Sequence, residues 1–172
     1  MIDIIICTYN EPALIKRCVN SILKQTIDEK FNILLVDGGS DKKTIQTIKE
    51  LQKKDSRIKF LKNPAKLPEG EGRGKWLAFR KTRGEIFGII DQDNELIGKD
   101  SLRKIIYPFQ DKEVMGVACK LFLKKKDNLT NQCIALIGTD PFVAYRSLDG
   151  IHTRIKKEDC GDYETFEQKK SS

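Results

Sequence analysis

Two carboxylates two residues apart, Asp91 and Asp93, follow the apolar run Ile86-Phe87-Gly88-Ile89-Ile90. At a strand end where the chain starts to turn, such a pair can face one hard cation. Magnesium and manganese prefer oxygen ligands and commonly bridge carboxylates to substrate phosphates. A cation held there would neutralise charge building on a departing diphosphate. The plainer alternative is a solvated acidic turn in which Asp93 or Asn94 caps the next segment. An isolated Asp-x-Asp does not separate the two.

Further polar clusters follow other apolar runs. Thr8-Tyr9-Asn10 succeeds Ile2 to Cys7, and Asp37-Gly38-Gly39-Ser40 succeeds Phe31 to Val36. The Tyr9 ring offers a flat apolar face that could stack on a base, or simply lie half-buried at a strand end. Asp37 could accept hydrogen bonds from a base or ribose, or fix its own turn. Gly38-Gly39 permits a close ligand approach or a tight strand-to-helix turn. Gly72-Arg73-Gly74-Lys75 sets two cations among glycines, where they could clamp a diphosphate or belong to a flexible basic loop. Its spacing is not that of a Walker A sequence.

The elements needed to position these clusters are legible as alternating strands and amphipathic helices. Ile2 to Cys7 and Phe31 to Val36 read as strands covered on both faces. Between them Asn10 offers a helix cap, Pro12 suits the first turn, and Leu14, Ile15, Cys18, Ile22 and Leu23 recur at helical spacing. Ser40 offers a cap for a helix striped by Ile45, Ile48 and Leu51. Arg57 to Leu61 reads as a third strand, and Asn63 to Gly74 as a mobile loop of about a dozen residues. A helix from Lys75 to about Thr82 should end in a left-handed cap at Gly84. Glu85 to Ile90 forms a fourth strand. Asp100 should cap a helix bearing Leu102, Ile105, Ile106 and Phe109, and Val114 to Leu123 a fifth strand. Leu129 to Ile137 is a weaker helix, and 138–172 shows no period.

This order implies βαβ units with right-handed crossovers and a mostly parallel sheet. In such a sheet, ligands bind beyond the carboxyl ends of the strands, near the point where strand order reverses. The clusters after the first, second and fourth strands should therefore meet on one rim.

Composition narrows the classes. With 172 residues, 39% hydrophobic and 33% charged, the chain suits one globular domain and not a disordered tail. No apolar run reaches bilayer length and the first strand begins almost at once, so the expectation is a cytoplasmic protein. Five widely spaced cysteines without a Cys-x-x-Cys pair, and a single histidine, argue against a disulfide framework or zinc site. The net charge of +7 suits phosphorylated ligands or anionic surfaces, or only a solvated lysine-rich face. Lys124-Lys125-Lys126 is the run that could touch a membrane surface peripherally. No nucleic-acid-binding motif accompanies the charge. A nicotinamide-cofactor enzyme would need Gly-x-Gly-x-x-Gly after the first strand, where Thr8-Tyr9-Asn10-Glu11-Pro12 stands instead.

In order and spacing, Ile4-Ile5-Ile6-Cys7-Thr8-Tyr9-Asn10-Glu11, Ser21-Ile22-Leu23-Lys24-Gln25-Thr26 and Leu34-Leu35-Val36-Asp37-Gly38-Gly39-Ser40-Asp41 resemble glycosyltransferase family 2. So do Asn63-Pro64, the Gly72 to Gly84 segment and Asp91-Gln92-Asp93. The resemblance implies a GT-A fold, a Rossmann-like three-layer α/β/α sandwich with a mostly parallel central sheet. It implies a nucleotide-diphospho-sugar donor, a divalent metal (Mg2+ or Mn2+) and inverting transfer to an acceptor hydroxyl on a glycan, lipid or protein. By the same resemblance Cys7, Thr8, Tyr9 and Asp37 line the nucleoside pocket, and Arg73 lies near the nucleotide. Asp93 then binds metal, and Asp91 lies by the ribose and metal.

The chain departs from the family pattern at Gly38, where many members carry a second acidic residue. Most members also continue well past the metal motif into an acceptor half that supplies the general base. Glu158-Asp159 lies closer to Asp93 than such a base should, Asp162 and Glu164 are no better placed, and no base is assigned. The expected layout is a donor-binding core over 1–125 and a short acceptor-side or truncated segment over 126–172 of the same domain. An active transferase, alone or helped by oligomerisation, and a donor-binding module without transfer activity both follow from it.

Overall fold

Ile2–Thr8 forms strand β1, with six apolar or small side chains around a single acid and burial along nearly its whole length. That pattern belongs to a strand covered on both faces. In the computed structural model, which describes residues 1–63, 70–119, 154–156 and 163–167, β1 lies inside a parallel sheet. Its partners are β2 (Phe31–Asp37), β3 (Ile58–Lys62) and β4 (Ile86–Ile89), in the order β3-β2-β1-β4. Register runs Ile2 to Phe31 through Thr8 to Asp37 on one side of β1, and Ile2 to Ile86 on the other. The chain thus builds outward from β1 to β3, then returns to β1's other side with β4. The reversal falls between β1 and β4.

The crossover helices are α1 (Pro12–Leu23), α2 (Lys42–Lys54) and α3 (Gly70–Phe79). Right-handed crossovers put α1 and α2 on one face of the sheet. They bury Ile15, Cys18, Val19 and Ile22 from α1, and Thr44, Ile48 and Leu51 from α2. On the other face, Ala78 of α3 packs with Ile5, Leu34 and Val36. The division into layers is the one the alternating pattern dictates.

Local details differ from the sequence expectation in instructive ways. Asn10 does not cap α1. Glu11 occupies the cap position in the left-handed region (φ 56°) without a side-chain cap bond; the following proline disfavours the right-handed helical region there. Asp41, not Ser40, caps α2: its carboxylate accepts from Thr44 N at 2.7 Å. Both displaced side chains take other work at the rim, described below. The helix expected to start at Lys75 begins at Gly70, so Gly72 to Lys75 is helical and not loop. Packing against the sheet outweighs the poor helix propensity of its glycines.

Gly84 is not a left-handed cap. It marks a close approach, since a Cβ there would lie 2.7 Å from Met1 O and 2.9 Å from Ile86 O. Beside it, the buried Asp3 carboxylate accepts from Asn32 Nδ2 (2.9 Å), Arg83 N (2.6 Å) and Gly84 N (2.8 Å). This carboxylate fixes the entry into β4 at the sheet end opposite the polar clusters.

Met1–Arg103 and Lys104–Ser172 form separate compact units. The second contains β5 (Ala118–Cys119), β6 (Arg154–Lys156) and β7 (Tyr163–Glu167), antiparallel in the order β5-β7-β6. The fifth strand expected from Val114 is confined, among the described residues, to Ala118–Cys119. β6 and β7 arise where no period was visible, as strands of three and five residues are too short to display one. The expected helix over Leu129 to Ile137 and the run Lys124 to Lys126 lie outside the described residues.

Candidate functional site

The carboxyl ends of β1, β2 and β4 carry the three polar clusters, and hydrogen bonds join them into one rim. Between the β1 and β2 ends, Gly38 N donates to Thr8 O at 2.8 Å. Asn10 N donates to Ser40 Oγ at 2.8 Å, and Asp41 N returns a bond to Asn10 Oδ1 at 3.1 Å. The left-handed backbone of Asn10 and Glu11, φ 52° and 56°, turns this loop toward Ser40. Consecutive non-glycine residues in that region are uncommon and carry backbone strain.

Across the reversal point, the join runs through a side chain that the sequence did not single out. Gln92 Oε1 accepts from Tyr9 N at 3.0 Å, and Gln92 Nε2 donates to Tyr9 O at 3.1 Å. The carboxamide thereby mimics a neighbouring strand and continues the β1–β4 pairing past its last backbone bond, Ile90 N to Ile5 O at 3.0 Å. Only an amide side chain offers both donor and acceptor in this fork. Its position between two aspartates was the available signal.

Asp91 to Asn94 form a tight turn closed by Asn94 N donating to Asp91 O at 3.0 Å. Asp91 and Asp93 are both exposed on it. The Asp91 backbone carbonyl also accepts from the buried Cys18 thiol at 3.6 Å. Burial, reinforced by the carboxylates of Asp93, Glu95 and Asp91, pushes that thiol up to about 12, so it stays protonated and donating. Beyond the turn, the chain is anchored by Arg17 and Ser21, four apart on one face of α1, and by Gln25 just past the end of that helix. Arg17 Nε donates to Glu95 Oε1 at 2.9 Å, and Ser21 Oγ accepts from Leu96 N at 3.0 Å. Buried Gln25 donates to Gly98 O at 2.9 Å and accepts from Leu102 N at 3.0 Å.

The residues singled out from sequence divide into two groups. Tyr9 presents its ring to solvent, 59% exposed, and Asp91 and Asp93 present their carboxylates. Thr8 and Asp37 belong to the framework. Thr8 is buried and its hydroxyl donates to Val36 O at 3.3 Å, while the buried Asp37 carboxylate accepts from Gly39 N at 3.0 Å and Ser40 N at 3.1 Å. Of the readings open for Asp37, fixing its own turn is the one the hydrogen bonds occupy, with Gly39 at φ 103° completing it. Cys7 is half-buried beneath α3, where a Cβ on Gly74 would approach its Sγ to 3.2 Å. Arg73 lies on α3, and its side chain is outside the described residues.

Gly74 and Ala78, one helical turn apart, are the small residues that seat α3 on the sheet. That close seating brings the next residue, Lys75, over the rim. Its Nζ lies 3.5 Å from Asp91 Oδ1.

The donor set suits a hard divalent ion. Mg2+ and Mn2+ are ordinarily held by one or two carboxylates, with phosphate oxygens and water completing the shell. Two exposed carboxylates on one turn match that need. Among the described residues no cluster of three or more His, Cys, Asp or Glu side chains could hold a metal by itself.

The profile described as glycosyl transferase family 2 matches residues 3–158, nearly the whole chain. The chain belongs to glycosyl transferase family 2. A glycosyltransferase of Methanocaldococcus jannaschii, MJ1057, is 32% identical over 115 residues, which are 66% of this chain and 39% of that one. The chain therefore spans about two-fifths of that relative's length.

Among solved structures, the mannosyltransferase PcManGT of Pyrobaculum calidifontis, in complex with GDP-Man and Mn2+, superposes with a TM-score of 0.60. It is 23% identical, over 66% of this chain and 33% of that one. Staphylococcus aureus TarS 1-349 in complex with UDP-GlcNAc gives a TM-score of 0.60 at 23% identity, over 74% of this chain and 36% of that one. At this identity the likeness carries the fold: the Rossmann-like α/β architecture expected for a family 2 member is the one found. No helix among the described residues is long and apolar enough to cross a membrane.

Proposed function

We propose that this family 2 chain binds a nucleotide-diphospho-sugar through the rim of Tyr9, Asp91 and Asp93, and transfers the sugar to an acceptor hydroxyl with inversion. The observation that carries the reading is the convergence of these side chains at the reversal point of a parallel sheet, where such folds place their ligands. The Tyr9 ring stacks on the base. Thr8 and Asp37 hold the turns that shape the nucleoside floor, Cys7 lines that floor, and Arg73 approaches the nucleotide from α3. Asp93 and Asp91 would hold a divalent ion beside the diphosphate. That ion, when bound, supplies the Lewis-acid neutralisation of the leaving nucleoside diphosphate. The acceptor oxygen forms the new bond at the anomeric carbon as the bond to the diphosphate oxygen breaks. The electron pair stays on the diphosphate, and the hydroxyl proton passes to a base outside the residues assigned here.

The complexes of PcManGT with GDP-Man and Mn2+ and of TarS with UDP-GlcNAc support this donor class and a divalent ion. A second reading is a donor-binding module without transfer activity, since the residues assigned here hold the donor and none of them is a base for the acceptor hydroxyl. One experiment separates them. Nucleotide sugars are screened by thermal shift with and without Mn2+, and hits are assayed for sugar transfer to carbohydrate, lipid and peptide acceptors. A ligand at a hundred times its dissociation constant should add about 2.7 kcal/mol of stability. Stabilisation with transfer supports the enzyme, and stabilisation without transfer supports the module. No stabilisation by any nucleotide sugar contradicts both.

A further inference from the structure

Lys75, one of the two cations that the sequence sets among glycines, is given no contact in the proposed donor site, yet the packing of α3 places it beside the proposed metal turn. Gly74 and Ala78 let the helix sit low on Cys7, Val36, Ile5 and Leu34, and Lys75 then reaches Asp91 at 3.5 Å. The pair is open to solvent: the side chains are 30% and 55% exposed, respectively. An exposed ion pair of this kind contributes little and exchanges readily. A divalent ion held by these carboxylates would put like charge beside the ammonium group, which then has reason to leave. A diphosphate arriving with the metal offers it the nearest new anionic oxygens, and the lysine stem is long and flexible enough to turn toward them.

We propose that Lys75 is a charge-exchange residue. It neutralises Asp91 in the nucleotide-free protein, yields that carboxylate to the divalent ion, and then pairs with the nucleoside diphosphate. This inference rests on the proposed donor site. It predicts opposite effects of one substitution on two ligands, which a purely structural ion pair would not produce.

The test uses Lys75→Met, which keeps the stem and removes the charge, and Lys75→Arg, which keeps a cation, with Asp93→Asn as a control on the site. Mn2+ binding without nucleotide is measured by electron paramagnetic resonance. UDP and GDP binding at saturating Mn2+ is measured by calorimetry. Lys75→Met should tighten Mn2+ by about two- to fivefold, the scale of an exposed ion pair. It should weaken the bound diphosphate by about tenfold or more, the scale of a charge-assisted hydrogen bond. Lys75→Arg should restore most of the diphosphate affinity. Unchanged or weaker Mn2+ binding in Lys75→Met would overturn the exchange. So would diphosphate affinity that ignores both substitutions, or a Lys75→Arg protein as impaired as Lys75→Met. If the wild type binds Mn2+ no better than Asp93→Asn, the donor-site reading fails first and Lys75 with it.

Discussion

The backbone of Tyr9 and the carboxamide of Gln92 hydrogen-bond to each other reciprocally, at 3.0 and 3.1 Å, across the reversal point of the sheet. One side chain thus sets the distance between the exposed ring at the end of β1 and the acidic turn after β4. Gln92→Met keeps the length and removes both bonds. It should cost about 1 kcal/mol of stability, the net worth of such exposed bonds, and weaken nucleoside diphosphate binding by about fivefold. Gln92→Glu keeps an acceptor for Tyr9 N but faces a carboxylate toward Tyr9 O, and should do no better. Denaturant titration and calorimetry on the two variants give both numbers. Binding equal to wild type in both would mean that the fork does not set the site.

Gln25 makes the matching prediction for the chain beyond the turn. Its buried amide bonds Ser21 O at 3.1 Å, Gly98 O and Leu102 N, tying 96–102 to α1. Gln25→Leu leaves those backbone groups unpaired and should destabilise by about 2 to 3 kcal/mol. Hydrogen exchange should accelerate at Leu102 and its neighbours while the centre of β1 stays protected. Uniform acceleration would point to a global loss instead of a local anchor.

Gly84→Ala tests a purely steric claim. The added methyl would fall 2.7 Å from Met1 O, 2.9 Å from Ile86 O and 3.1 Å from Asp3 N, all backbone atoms that cannot swing aside. A loss of about 2 kcal/mol or more is expected, on the scale of overpacking. A thermal midpoint within error of wild type would show that the β4 entry tolerates the shift.

The carboxylate beside that glycine should make stability sensitive to acid. Burial would push the Asp3 carboxyl up, but hydrogen bonds from Asn32, Arg83 and Gly84 together hold it below the ordinary carboxylate value. A lowered folded value means that the unfolded chain takes up the proton first. The contribution is therefore fully present above about pH 4 and lost as pH falls through the lower folded value. Asp41 and Asp55 are lowered as well, by hydrogen bonds from Thr44 and Arg57, so the difference between wild type and Asp3→Asn isolates the term. That difference should shrink as the solution is acidified below about pH 4. A difference independent of pH would remove the carboxylate from the argument.

The strands and the convergence of their ends were legible because burial on both faces and strand-end polarity are local properties of the sequence. Ile2 to Cys7 and Phe31 to Val36 announced themselves, and with them the rim. What escaped depends on partners distant in sequence. Asn10 and Ser40 carry good capping side chains, but each is taken by the other's loop, 30 residues away. Gln92 has no pattern of its own, and its role exists only once Tyr9 lies opposite. The early start of α3 was hidden by glycines that read as loop, yet serve a close helix-to-sheet contact at Gly74. β6 and β7 are too short to carry a period.

The central claim, that Asp93 holds a divalent ion against a nucleoside diphosphate, is tested most directly by calorimetric titration of UDP and GDP. Wild type and Asp93→Asn are each titrated in Mn2+ and in chelator. At least one of the two nucleotides should bind wild type at least about tenfold more tightly in Mn2+ than in chelator, and Asp93→Asn should abolish that gain while remaining folded. Binding by wild type that ignores both the chelator and the substitution would contradict it.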